Sequence, residues 1–320
     1  MTASLPAEVQ STFERFITTE FTTLDRAGQP ITWPVTPYYR QGGGAIDVCT
    51  GIGYPKKADD AAANPHVALL FSDPTGSGLE DPPMVLVQGI AKVDDADLDA
   101  NARRYEREAL EKLPAIKSQL PPRPLQRLFT WYRARIYVYV RPERVYVWPR
   151  GDISAEPELH GSRIEEIRSG HSVEPEEGHA PPTGGSEAWD ERMDELGQRY
   201  PRAVLSFVSP DGFPFSVRVP VALDRAAHCV RLRGEPLGAP LEPGLACLTA
   251  HEHAPDFTWQ RNFQVRGDLV RDEQGWALRP HRLVGGFELP RNTFTRYRSN
   301  LRKALRFRRI ARREVARRRS

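Results

Sequence analysis

A short segment in the first third of the chain contains residue types that could bind an anion. Thr50 ends a strand-like segment, a glycine-containing loop follows, and Lys56 and Lys57 open an Ala-rich helix that closes at Asn64. A hydroxyl group, two ammonium groups and the free backbone N–H groups of a helix N-terminus would converge there, and this inventory suits a phosphate. Cations are mildly disfavoured at a helix N-terminus, so two of them favour a bound anion over the alternative, a pair of solvated lysines.

Histidines offer a second chemistry, metal binding. His251 and His253 are two residues apart and would point to one side of a strand, while His160, His171 and His179 lie in or beside a Glu-, Pro- and Gly-rich stretch. His251 and His253 have no clear third ligand, so we expect a polar pocket or surface pair there. The other three histidines are loosely spaced and no carboxylate or thiol framework organises them, so we expect no metal in either group. No Ser/His/Asp or paired-carboxylate arrangement is visible, and the catalytic residues are left unassigned.

Short strand-like segments separated by turns would position these residues. The first series is predicted as helix 5–17, strands 21–24, 31–39, 45–50, 66–72 and 84–93, helices 57–64 and 95–113, and a hairpin-like β segment 136–148. Many short strands with one small helix among them are typical of a small antiparallel barrel.

The strand pattern returns after a helix predicted at 187–200, and it repeats three landmarks of the first half in the same order. The turn 28–30 corresponds to 212–214, the segment 87–89 to 265–267, and the pair 141–142 to 279–280. These landmarks predict an internal duplication. Its halves would pack face to face, as a two-fold dimer does.

Composition limits the class of protein. The chain has 320 residues, a net charge of +3 and 39% hydrophobic residues, which is enough for about two domains. It contains no apolar run of about 18 residues and no secretory signal pattern. Three scattered cysteines without a CxxC pair argue against a disulfide framework, so we expect a reduced, cytoplasmic compartment.

The C-terminal segment 293–320 is strongly basic. From Arg291 onward there are thirteen Lys or Arg residues and one Glu, a net of +12, so the rest of the chain carries −9. Apolar residues at helical spacing before Phe307 predict a helix whose apolar face packs on the second barrel. For the charged remainder, a solvated helix and contact with an anionic membrane surface are the alternatives, while nucleic acid is disfavoured because no base-reading motif is visible.

The anion-binding segment and its flanks resemble a known family. Thr50, the pair Lys56-Lys57, the helix closing at Asn64 and the segment 85–89 are similar to the pyridoxamine 5′-phosphate oxidase-like FMN-binding split β-barrels, which include F420-dependent relatives. The resemblance covers most of residues 10–150 and, more faintly, 200–290. It implies a tandem split β-barrel, mainly β with α additions.

The resemblance also implies roles for individual residues. In such a protein the flavin phosphate is held by the strand-end hydroxyl and the basic pair, the ring faces Gln88, and the second strand supplies backbone contacts. The cofactor-binding residues implied in this half are Val35, Thr36, Tyr38, Thr50, Lys56, Lys57 and Gln88. The residues by which the true oxidases recognise pyridoxal phosphate are not identifiable.

The second half has residues 235–240 where the lysine pair would be, so a single cofactor site is expected. Its far wall would come from the second half, where Trp259 could stack on the ring and Arg261 could pair with an anionic substrate.

The sequence therefore predicts four regions: a barrel at 1–150, a flexible acidic linker at 151–186, a degenerate barrel at 187–292 and a basic helix or tail at 293–320. The expected function is that of an FMN-dependent oxidoreductase acting on a small molecule, with F420 as the alternative cofactor. A non-catalytic flavin- or haem-binding protein is the rival class. The two halves would form an intrachain pseudo-dimer, and further oligomerisation is left open.

Overall fold

The computed structural model of the chain describes residues 5–40, 42, 44–115, 134–161, 191–286, 288–289, 307 and 309–318. The described residues form two antiparallel sheets, and each sheet curls around apolar side chains. The predicted fold class, a mainly β protein built from barrel-type sheets, is confirmed.

The first sheet is a curled, open half-barrel. Its strands are β1 (Thr19–Leu24), β2 (Pro30–Val35), β3 (Pro37–Tyr39), β4 (Ile46–Gly51), β5 (His66–Phe71), β6 (Met84–Asp94), β7 (Arg135–Trp148) and β8 (Glu158–Gly161). They lie in the order β2-β1-β5-β6-β7-β4-β3, and β8 pairs with β7 outside this path. The sheet is open between β2 and β3, which are consecutive in the chain and separated by Thr36 alone.

The second sheet is a closed barrel with the same circular strand order. Its strands are β9 (Arg202–Val208), β10 (Pro214–Asp224), β11 (Cys229–Leu232), β12 (Gly244–His253), β13 (Gln260–Asp272) and β14 (Gly275–Gly285), in the order β10-β11-β14-β13-β12-β9. If β2 and β3 together correspond to β10, the order around the first sheet is identical. The first sheet differs because its counterpart of β10 is broken at Thr36.

Both sheets also have a β-bulge at the same place. The register between β6 and β7 shifts at Gly89, and the register between β13 and β14 shifts at Gly267. A Cβ at Gly89 would lie 2.4 Å from the carbonyl oxygen of Arg141, and one at Gly267 would lie 2.1 Å from that of Arg279. Only glycine avoids this contact, which explains two of the repeated landmarks in the sequence.

Helices connect or cover the strands. They are α1 (Ala7–Arg15), α2 (Lys56–Ala63), α3 (Leu98–Lys112), α4 (Glu191–Arg199) and α5, which comprises the described helical residues 307 and 309–318, with a short 3-10 turn at Pro149–Gly151. The carboxylate of Asp97 caps α3 by accepting from the backbone N–H groups of Asp99 and Ala100. Within the described ranges, no helix has the length and apolar character that crossing a bilayer requires.

A buried cluster of four hydroxyl groups joins the two sheets. Thr32 donates to Ser206 Oγ at 2.7 Å, and Thr22 Oγ1 lies 2.9 Å from the Ser216 hydroxyl. Thr22 pairs with Thr32 in the β1–β2 hairpin, and Ser216 pairs with Ser206 in the β9–β10 hairpin. Each hairpin therefore contributes two residues that lie directly opposite each other on its paired strands.

The structure differs from the sequence prediction at two connections. The segment 136–148, predicted as hairpin-like, is instead part of the single strand β7, because the bulge opposite Gly89 accommodates Pro142 without a turn. The predicted linker 151–186 begins with ordered chain, since β8 extends the first sheet. Residues 162–186 of that linker, residues 187–190 at the start of the next predicted helix, and the predicted helical residues 293–306 lie outside the described residues.

Candidate functional site

The two candidate lysines of α2 point in different directions, because successive residues of a helix are rotated by about 100°. Lys56 is 54% exposed at its side chain and forms an ion pair with Asp60, with Nζ and Oδ1 2.9 Å apart. The Lys57 side chain is instead half-buried, and desolvation of its ammonium group, together with the nearby positive charge of Arg135, lowers its pKa to about 8. Lys57, and not Lys56, therefore faces the interior.

Arg135 is the second interior cation, and the sequence analysis did not identify it. It is the first residue of β7 and lies opposite Gly51 in the β4–β7 register. Its guanidinium lies 3.7 Å from the centre of the Tyr105 ring of α3. The sequence around Arg135 gives no sign that it belongs to this site, because only the pairing of β4 with β7 brings it to the start of α2.

The β4–α2 loop completes this region. Thr50 Oγ1 donates to the backbone oxygen of Tyr54 at 2.9 Å, so the hydroxyl fixes the loop. Lys57 Nζ lies 6.0 Å from the centre of the Tyr54 ring. Cys49 is the adjacent thiol, and burial raises its pKa to about 11, which keeps it neutral. We call Thr50, Tyr54, Lys57 and Arg135 the cation cluster.

The second-strand candidates lie at the break between β2 and β3. Val35 is buried in the core of the first sheet, and Thr36 occupies the break itself. Tyr38 is buried on β3, where burial and neighbouring groups including Cys49 and Tyr137 raise the pKa of its hydroxyl. Arg135 also acts on this hydroxyl, so Tyr38 lies near the cation cluster. The structure thus brings Thr50, Lys57 and Tyr38 to one end of the first sheet.

Gln88 lies elsewhere, in the contact between the sheets. Its side-chain amide donates to the backbone oxygen of Pro214 at 2.9 Å, and the residue is fully buried. It pairs with Arg144, which is nine residues beyond Arg135 along β7, or about 30 Å of extended strand. Contact between Gln88 and a flavin ring stays a prediction, and the observed partner of its amide is the second sheet.

The two candidates of the second sheet flank the β12–β13 turn. Arg261 donates to Glu195 Oε1 at 2.5 Å and has Glu288 at 3.7 Å, so its charge is already balanced. Trp259 is partly exposed. The turn reaches the first half of the chain through Phe257, which packs on the cluster of Ile17, just before β1, and Leu113, just after α3. Their contacts with a cofactor or substrate stay predictions.

His251 and His253 point to the same side of β12, as their spacing predicted, and they join a network between the sheets. His251 Nε2 lies 2.6 Å from Glu20 Oε1 and 2.6 Å from Arg218 Nη2. His253 Nε2 lies 3.1 Å from the Thr18 hydroxyl.

Asp73 is a second carboxylate of this network, and nearby positive groups, first Arg218, lower its pKa to about 2. Across the described part of the chain, no group of three or more His, Cys, Asp or Glu residues is arranged to hold a metal ion.

A cleft of about 510 Å³ opens beside this network, with Ser72, Met84, Arg150 and Arg202 among its lining residues. Ser72 also donates to Glu20 Oε1 at 2.9 Å. The cleft lies at the Trp148 end of β7, whereas the cation cluster lies at the Arg135 end, so the two are separate places.

The C-terminal helix α5 contacts the first sheet. The apolar face that was predicted to pack on the second barrel precedes Phe307 and lies outside the described residues. Phe307 and Ala311 belong to the apolar core of the first sheet. The side chain of Arg318, 6% exposed, forms ion pairs with Asp59 of α2 and with Asp95. Residues 293–306 are outside the described residues, but the basic end of the chain is docked beside α2.

Comparison with solved structures gives neighbours at low identity. They include the general stress protein 26 of Bacillus anthracis (15% identity, 48% of this chain and 96% of that chain, TM-score 0.30). They also include an F420 reductase, at 18% identity over 44% of this chain and 98% of that chain, with a TM-score of 0.33. A third is a putative pyridoxamine 5′-phosphate oxidase of Listeria innocua, at 16% identity over 45% of this chain and 98% of that chain, with a TM-score of 0.32. No protein-family model matches the sequence, and no curated protein matches it either.

Proposed function

We propose that the chain binds a phosphate-bearing flavin, FMN in the first instance, and is an oxidoreductase that acts on a small molecule. The observation that carries the proposal is the meeting of two cations at the start of α2. The half-buried Lys57 has its Nζ 6.0 Å from the centre of the Tyr54 ring, and the buried Arg135 lies opposite Gly51, at the end of β4. Two interior cations repel each other and lose solvation, and both costs fall when an anion binds between them.

The residues of the cation cluster fit a phosphate group. Lys57 and Arg135 would supply charge-assisted hydrogen bonds, which are stronger than neutral ones, and the first turn of α2 would add the positive end of a helix dipole. Thr50 would hold the loop through its bond to Tyr54. Lys56, already paired with Asp60, would contribute little.

Other described residues would surround the remainder of the cofactor. Tyr38 stays a neutral hydrogen-bond donor because burial raises its pKa, and the turn that carries Trp259 would form the far wall beyond α3. When bound, the flavin ring would supply the hydride-transfer chemistry. The protein's task is then to bind, orient and exclude water.

Equilibrium titration with FMN tests the proposal. The Lys57→Ala variant should bind FMN about 10- to 100-fold more weakly than the wild type, since one charge-assisted contact is worth roughly 1.5–3 kcal/mol. Lys56→Ala is the matched control, because it removes the same charge one residue away from an exposed ion pair. It should change the dissociation constant by less than about threefold.

Two results would contradict the proposal. One is a wild-type protein that binds neither FMN nor F420. The other is an equal loss of affinity in the Lys56 and Lys57 variants. Tighter binding of F420 than of FMN would select the deazaflavin. A bound cofactor that is never reduced by NAD(P)H or reduced deazaflavin would support the non-catalytic class.

A second candidate function concerns the outer face of α5. Arg309, Arg312 and Arg313 are exposed there, and none of them forms an ion pair within the described ranges. We propose that this face contacts anionic membrane surfaces, where each arginine contributes about 1 kcal/mol. Co-sedimentation with phosphatidylserine vesicles at low salt should be lost in an Arg312→Gln/Arg313→Gln variant. Equal sedimentation of that variant would contradict it.

A further inference from the structure

The C-terminal helix α5 is docked against the loop and helix that carry the cation cluster. Phe307 and Ala311 share one apolar core with Ile52 of the β4–α2 loop and with Ala58 of α2. Phe307 follows the second barrel in the chain, yet it packs on the first sheet. The docking therefore brings the C-terminal end of the chain, which follows the second barrel, into contact with α2 beside the first sheet.

Ion pairs hold the other end of the helix to the same element. Arg318 contacts both Asp59, in the first turn of α2, and Asp95, just after β6. Arg317 Nη2 adds a bond to Asp59 Oδ1 at 2.9 Å, and Glu314 lies 2.7 Å from the same guanidinium. Because Arg318 is nearly buried, its pairs are less screened than surface pairs.

One residue connects this docking to the cation cluster. The Tyr54 ring lies 4.6 Å from the Phe307 ring, centre to centre, and 6.0 Å from Lys57 Nζ. The backbone oxygen of Tyr54 accepts the hydrogen bond from Thr50. Phe307 thus packs on a member of the cation cluster that is hydrogen-bonded to Thr50 and lies near the Lys57 ammonium group.

We propose that α5 is a latch that keeps the β4–α2 loop in its anion-binding conformation, with Phe307 and Arg318 as positioning residues. This inference rests on the proposed function, since it concerns the regulation of the same site. If the loop without the latch were binding-competent only a tenth of the time, the apparent dissociation constant would rise about tenfold. Release of α5 by a competing ligand of its arginines would then weaken cofactor binding.

The test uses the full-length protein and two matched variants. Phe307→Ala removes the contact with Tyr54, and Ile310→Ala removes an exposed apolar side chain from the same helical segment. Phe307→Ala should weaken FMN binding about tenfold, Ile310→Ala should change it less than twofold, and Phe307→Tyr should restore it. Hydrogen–deuterium exchange of residues 51–57, measured without cofactor, should increase in Phe307→Ala alone.

The two readouts separate the latch from the proposed function. If the wild type binds no flavin, the proposed function fails, while faster exchange at 51–57 in Phe307→Ala still supports a latch on the loop. Unchanged exchange in Phe307→Ala would overturn the latch. Faster exchange with unchanged FMN affinity would overturn its coupling to the site.

Discussion

The connections after β4 and after β11 occupy the same position in two sheets of identical strand order, but their side chains differ. After β4 the chain forms α2 and places the half-buried Lys57 near Arg135, whereas residues 233–243 after β11 form no helix. The second connection serves packing instead: the Leu237 oxygen accepts from the Trp148 indole at 3.2 Å, and the Leu237 N–H donates to Ile153. Shared topology thus fixes where a site can form, and the local residues decide whether it forms.

The largest expected effect is a loss of FMN affinity. It should follow from substitutions around the connection after β4 and not from substitutions in the connection after β11. Replacing both interior cations, as Lys57→Ala/Arg135→Gln, should weaken FMN binding by about a hundredfold or more. Arg233→Ala, which removes a cation at the start of the second connection, should leave affinity within about twofold. Titration of both variants under the same conditions checks this, and a comparable loss in Arg233→Ala would place a site in both sheets.

The next effect concerns the stability of the first connection and its pH dependence. The folded-state pKa of Lys57, about 8, lies below its usual 10.5, so the unfolded chain binds more protons between these values and wild-type stability rises with pH there. Lys57→Met should therefore raise the free energy of unfolding at pH 7 by about 3 kcal/mol, an upper figure. Chemical denaturation should show this gain shrinking from pH 8 to 9.5. A gain independent of pH would mean that the ammonium is solvated.

A third effect tests what the two sheets have in common. Gly89→Ala and Gly267→Ala both force a Cβ against a backbone oxygen, so each should lower the free energy of unfolding by about 1–3 kcal/mol. Gly212→Ala is a useful contrast, because a Cβ there meets nothing within 4 Å and only its φ of +84° is unfavourable. An unchanged free energy of unfolding in both variants would mean that neither bulge requires glycine, and the two glycines would no longer mark equivalent positions in the two sheets.

The smallest effect lies in the contact between the two sheets. The folded-state pKa of Asp73, about 2, lies below its usual 3.8, so its contribution is present above pH 3.8 and is lost as the pH falls through 2. Asp73→Asn should lower the free energy of unfolding at neutral pH by about 2 kcal/mol. In the variant, the free energy of unfolding should also fall less steeply than in the wild type as the pH drops below 3.8. An unchanged pH dependence would exclude a contribution of this carboxylate to stability.

Local patterns predicted much of this molecule. The strands, α2 and the glycine landmarks follow from residue type and spacing. Anion binding by the β4–α2 segment stays a prediction. The different directions of Lys56 and Lys57 could have been found from the i, i+4 pair of Lys56 with Asp60. Arg135 could not, because its position depends on β4 pairing with a strand far along the chain.

Two other features depend on long-range contacts in the same way. Gln88 pairs with the second sheet because a turn of that sheet, 209–214, docks beside it. The basic helix α5 docks on the first sheet because Asp59 and Asp95 meet Arg318 there. A charge run shows what a segment can pair with, but the partner is set by the packed structure.

Comparison of FMN with riboflavin tests the central claim most directly, since the two differ only by the phosphate. If the cation cluster holds that group, the wild type should bind FMN at least tenfold more tightly than riboflavin, and Lys57→Ala should bind the two with similar affinity. Equal affinity of the wild-type protein for FMN and riboflavin, or an undiminished preference in Lys57→Ala, would contradict the account.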